Sequence, residues 1–118
     1  MALHIGDLVF EAVWPGNTTP QAVDGTGTSP RSFCGFSIFN AAAAARFIRL
    51  FDNSVSPTMG TTLPKIVIPL ATLTSVHVSY IRPNLFVNGM WVSVTTGIAN
   101  NDNTAPAASD VLMNIFYQ

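Results

Sequence analysis

The chain has 118 residues, one cysteine and a formal net charge of −1. That length fits one domain with a core of its own, and the lone Cys34 excludes an intramolecular disulfide scaffold. Only 9% of residues are charged, against about 25% in an average soluble domain. The five basic residues, Arg31, Arg46, Arg49, Lys65 and Arg82, are scattered rather than clustered, which argues against direct nucleic-acid binding.

Residues 3–14 alternate in part, with Leu8, Phe10, Ala12 and Trp14 on one side, and this period of two predicts a strand. The N-terminus lacks a basic head and is broken by Asp7 and Glu11, so it does not read as a signal peptide. From Pro15 to Pro30 the chain is mostly Thr, Gly, Ser, Pro and Asn. This composition reads as a loop or arm, flexible or ordered against a neighbour. The sequon Asn17-Thr18-Thr19 then reads as a turn. The expected division is an N-terminal strand and flexible arm over 1–30 and a β-sandwich domain over 31–118.

Residues 32–40 and 45–52 are rich in aromatic and β-branched residues and predict two strands. Cys34 lies in the first of them, between Phe33 and Phe36, as a small core hydrophobe. Ala41 to Ala45 carries the one helical signal, but it is too short to hold a helix alone, so it reads as a tight connection. A loop is expected over 53–64, followed by a strand over 65–70 whose Ile66, Ile68 and Leu70 share a face. Residues 75–81 alternate Val76, Val78 and Tyr80 against His77 and Ser79, and Pro83-Asn84 is expected to end that strand. Strands over 90–96 and 110–117 close the chain around a polar loop. In the last strand, Leu112 and Phe116 face opposite to Val111, Met113 and Ile115.

About seven short strands between Gly, Pro and Asn turns predict an all-β sandwich or barrel. Several strands are apolar on both faces, so their outer faces need a cover: other subunits, or the protein's own loops. Charge depletion favours other subunits, because interface centres are poor in charge. No stretch approaches the roughly 20 apolar residues of a membrane helix.

No chemistry is legible. His4 and His77 have no ligand partners at metal spacing, and no G-x-S-x-G turn is present. Gly25-Thr26-Gly27 lacks the third glycine and the helix of a dinucleotide loop. The run Asn100 to Thr104 offers oxygen ligands but reads as a turn. Neither catalysis nor a cofactor or metal is expected. Trp91 beside the Asn100–Asn103 loop could form a sugar-binding face, although strand-spaced aromatics more often serve core or interface.

The motifs carry a family resemblance. Arg46-Phe47-Ile48-Arg49-Leu50-Phe51-Asp52, followed by Pro57-Thr58-Met59-Gly60-Thr61 and Pro64, resembles a pattern in small virion proteins of tailed bacteriophages. Leu85-Phe86-Val87-Asn88-Gly89-Met90, Thr95 to Asp102 and Asn114 to Tyr117 are similar to later steps of that pattern. The likeness runs from about Gly35 to the C-terminus. It implies a jelly-roll-like antiparallel β-sandwich, often trimeric, that decorates or cements the capsid exterior after synthesis in the bacterial host cytoplasm. The implied partners are the major capsid protein and copies of itself, with no membrane. The alternatives are a head-fibre or tail component, or a carbohydrate-binding module. On patterning, Phe10, Trp14 and Leu112 are the candidate subunit contacts, and Arg46, Arg49 and Arg82 the candidate polar rim.

Overall fold

A computed structural model describes residues 8–13 and 19–118 of the protein. The alternating segments form eight strands there: β1 (Leu8–Val13), β2 (Gln21–Ala22), β3 (Arg31–Asn40), β4 (Arg46–Asp52), β5 (Ile66–Leu70), β6 (Ser75–Phe86), β7 (Met90–Thr95) and β8 (Val111–Tyr117). No helix lies among the described residues, so none there is long and apolar enough to cross a membrane. The strands make two four-stranded antiparallel sheets, in the orders β1-β8-β3-β6 and β2-β7-β4-β5. First strand thus pairs with last, second with seventh, third with sixth and fourth with fifth.

The inner faces of the two sheets close on one core. Phe33, Phe36, Ile38, Met113 and Ile115 come from one sheet, and Ile48, Leu50, Ile68, Leu70, Val92 and Val94 from the other. Phe33 sits at its centre, stacked with Phe36 and edge-on to Tyr80 and Phe86. Burying such side chains stabilises the fold by roughly 1.5–3 kcal/mol each. Cys34 is fully buried, as its apolar setting implied.

The structure departs from the sequence reading in two places. Residues 19–30, read as part of an arm, are built into the sandwich. β2 pairs with β7, Val23 is buried and its N–H donates to the Met90 carbonyl, and Asp24 ties the next turn together. β1 likewise pairs along its length with β8. The described part of 1–30 therefore belongs to the same body as 31–118. One valine anchor and one turn-capping aspartate suffice where composition suggested a loose segment.

Pro83, expected to end the strand, lies inside β6. The β3–β6 register jumps from Phe33↔Asn84 to Gly35↔Ser79, so residues 80–83 bulge out opposite Cys34. A proline is tolerated at such a bulge because no ladder bond needs its missing N–H. The alanine stretch is the tight connection expected of it, and Asn40 anchors it. The Asn40 side chain accepts from the Ala42 N–H and donates to the carbonyls of Ala44, Leu70 and Ala71.

Candidate interaction faces

With both inner faces in the core, the function-bearing surfaces are the two outer faces. They are built in opposite ways.

On the β2-β7-β4-β5 sheet, the outward residues of β4 and β7 are buried: Arg49, Phe51, Ser93 and Thr95 are all at most 1% exposed. The cover is the protein's own. Arg49, in the middle of β4, donates from Nε to Thr95 Oγ1 at 2.9 Å and from Nη2 to the Gly97 and Ala99 carbonyls, both at 2.9 Å. Only Nη1 finds no hydrogen-bond partner among the described residues. Burial pulls the guanidinium pKa down and the nearby Asp102 carboxylate pulls it back up, and arginine keeps its charge in either case. The guanidinium thus straps the 96–104 loop across the sheet.

Asp102 closes that loop on itself. Its Oδ1 accepts from the Thr104 N–H and hydroxyl, and Thr96 and Thr104 bond through both backbone and hydroxyls. The Thr104 hydroxyl, with the Thr104 and Gly97 N–H groups and Arg49, holds the Asp102 carboxyl below its usual range against some burial. The 53–64 loop comes in alongside, with Gly60 against Asn101 and Asn103.

At the far end of this face, Trp91 pins two more loops: its Nε1–H donates to the carbonyls of Gly27 at 3.1 Å and Asn53 at 3.0 Å. Gly27 packs directly on the indole, and a Cβ at Gly89 would run into the Gly27 and Asn53 carbonyls, so both positions need glycine. Asp52 accepts from the Val87 and Asn88 N–H groups and lies 3.7 Å from Lys65 Nζ.

Among the described residues, the outer face of the β1-β8-β3-β6 sheet carries no such cover. Cross-strand register sets Leu112 beside Phe39 and Ser75, Asn114 beside Ser37 and His77, and Phe116 beside Gly35 and Ser79. Leu112 is 42% and Phe39 37% exposed, and His77 touches Phe116 edge-on. Below them, the bulged end of β6 exposes Ile81 and Leu85.

These placements revise the candidate contacts. Leu112 lies on the open face. Phe10, set opposite Ile115 by β1, is partly buried and packs against the protein's own core. Trp14 lies outside the described residues. Of the rim candidates, Arg49 is buried, because a mid-strand arginine can bond the carbonyls of a loop that folds back over it. Arg46 is committed internally, to Asp110 at 2.9 Å and the Ala45 carbonyl. Arg82 is exposed on the β6 bulge.

The sugar-face candidate changes as well, since Trp91 is a loop anchor rather than an open platform. The Asn100–Thr104 run forms the expected turn, and no cluster of three or more metal-ligating residues occurs among the described residues. The exposed Phe39 and Ile81 were not singled out in sequence. Their signal was an apolar residue in phase with Ser and His on an otherwise alternating strand.

Fold and faces together define an all-β sandwich with one self-covered and one open outer face. No family model matches the chain, and no curated protein matches it in sequence.

Proposed function

We propose that the protein is a structural subunit of a tailed-phage particle, a decoration or cement protein that seats on the capsid exterior and bridges major capsid subunits. The observation that carries this reading is the open β1-β8-β3-β6 face, where Leu112 and Phe39 stand exposed in a chain with only 9% charged residues. Isolated exposed apolar residues are ordinary. Their alignment on one uncovered sheet face, with little charge to keep a free monomer soluble, fits a surface buried in an assembly. The nested pairing of first strand with last supports a jelly roll, the eight-stranded sandwich common among capsid proteins. The motif resemblance points the same way and adds copies of the protein itself, in a trimer, as partners.

Mechanistically, such a subunit needs no reactive group. Apolar area removed from water at about 25 cal/mol per Å² holds each copy, and many copies on one shell act together by multivalency. The test is a heat challenge of particles with and without the protein. Loss of shell integrity at lower temperature in its absence is expected, and equal stability overturns the cement role. A head-fibre or tail place differs only in location, which immunogold labelling of particles reads directly.

A further inference from the structure

The exposed edge of the open sheet carries its own symmetry. β6 is an edge strand, and its first residues read Ser75-Val76-His77-Val78-Ser79, the same in both directions about His77. We infer that β6 pairs antiparallel with β6 of a second copy of this chain, about a two-fold axis at His77, joining two four-stranded sheets into one continuous sheet. This contact is independent of where on a particle the protein acts.

Backbone geometry sets the register. The Asn40 N–H donates to the Thr74 carbonyl at 2.9 Å, which makes that position a hydrogen-bonded pair of the β3–β6 ladder. Such pairs alternate along an antiparallel ladder. Val76 and Val78, opposite Ile38 and Phe36, therefore direct their N–H and C=O groups towards β3. Those of Ser75, His77 and Ser79 point outward from the sheet. A two-fold axis at His77 makes His77 and the partner's His77 a hydrogen-bonded pair, flanked by Ser75 with the partner's Ser79 and the reverse. About six main-chain bonds result.

Side chains agree with that register. Val76 and Val78 are only partly buried, packed on the core where the sheet stops. In the pair each meets the other valine of the partner, a favourable cross-strand match. Ile81 and Leu73 are the most exposed large apolar residues described, at 97% and 68%. Leu73 lies in the turn before β6 and Ile81 in the bulge that follows Ser79, so the two bracket the palindromic stretch.

The distribution of edge protection fits too. Soluble proteins guard edges with charge, proline and bulges. In β6, Arg82, Pro83 and the bulge lie in the second half, where Lys65 also donates to the Leu85 carbonyl. Residues 75–80 carry no charge and no proline, so the guard is missing over the palindrome. A two-fold contact differs from the trimer that the family resemblance implies, and a trimer would need another surface.

The test combines solution mass with register-specific cross-linking. Light scattering across a concentration series should show a dimer for the native chain and a monomer for His77→Lys, which sets two ammonium groups against each other. In a hydrogen-bonded pair the Cα atoms lie about 5.5 Å apart, within disulfide range. His77→Cys should therefore form a disulfide-linked dimer under mild oxidation. Ser75→Cys should not, because the two introduced thiols would lie about 13 Å apart along the strands. Both positions are exposed, so circular dichroism should show both variants folded. A native chain that stays monomeric throughout overturns the proposal. So does cross-linking of Ser75→Cys as efficient as that of His77→Cys.

Discussion

The two outer faces are made from strands of similar apolar content, yet one is finished internally and the other left open. The difference lies in the connections that leave each strand. β4 and β7 lead into the long 53–64 and 96–104 segments, which fold back over their own sheet and bury Arg49, Phe51 and Thr95. Among the described residues no segment returns over the outer side of β3 and β8, and Phe39 and Leu112 meet solvent. A strand that is apolar on both sides therefore does not by itself mark a subunit contact. The proposed contact is where, among the described residues, no loop returns.

The sharpest way to break this comparison is to unfasten the covered face. Arg49→Met should destabilise the protein by about 2 kcal/mol, because it removes the charged hydrogen bonds that tie β4 to Thr95, Gly97 and Ala99. Urea denaturation reads that loss, and proteolysis at the 96–104 loop should become faster. Gly89→Ala should cost as much, at about 2 kcal/mol, since its φ of +154° and the Gly27 carbonyl leave no place for a methyl group. Trp91→Phe keeps the ring but loses the bonds to Gly27 and Asn53. About 1 kcal/mol is expected, again from urea denaturation.

Acid should act on the covered side as well. Burial raises the Asp24 carboxyl, but the Gly27 and Thr26 N–H groups and Arg31 outweigh it. Asp52 is likewise pushed up by burial and brought below its usual range by the Asn88 and Val87 N–H groups and Lys65. A carboxyl whose folded pKa is depressed stabilises above its unfolded pKa and loses that contribution as pH falls through the folded one. The melting temperature should hold above roughly pH 5 and decline from about pH 4 downward.

The smallest effect on stability, and the one that sharpens the contrast, belongs to the open face. Leu112→Ser and Phe39→Ser should change unfolding free energy by no more than about 0.5 kcal/mol while reducing occupancy on capsid shells, read by co-sedimentation. Unchanged occupancy would remove this face from the proposed function.

Much of the fold was legible because strand alternation records burial directly. Ile66, Ile68 and Leu70 share the inner face of β5, and the opposed phases of Leu112 and Met113 match their exposure. The errors came where a local rule was overruled at a distance. Pro83 survives inside β6 because β3 leaves a gap opposite the bulge, and residues 19–30 join the sandwich because Val23 reaches the Met90 carbonyl. The role of Trp91 was not legible because nothing in sequence shows two loop carbonyls converging on its indole N–H.

By itself, the sequence determined the fold class, the inward residues of the regular strands and the palindrome around His77, since all of these are properties of neighbouring residues and the period of two. Tertiary structure alone decided that Arg49 is an internal strap, that residues 19–30 belong to the sandwich and that the palindrome stands at the edge of the described sheet. Those outcomes depend on contacts between residues far apart in the chain, such as Arg49 with Ala99 and Val23 with Met90. No local pattern encodes which loop will return to cover which face.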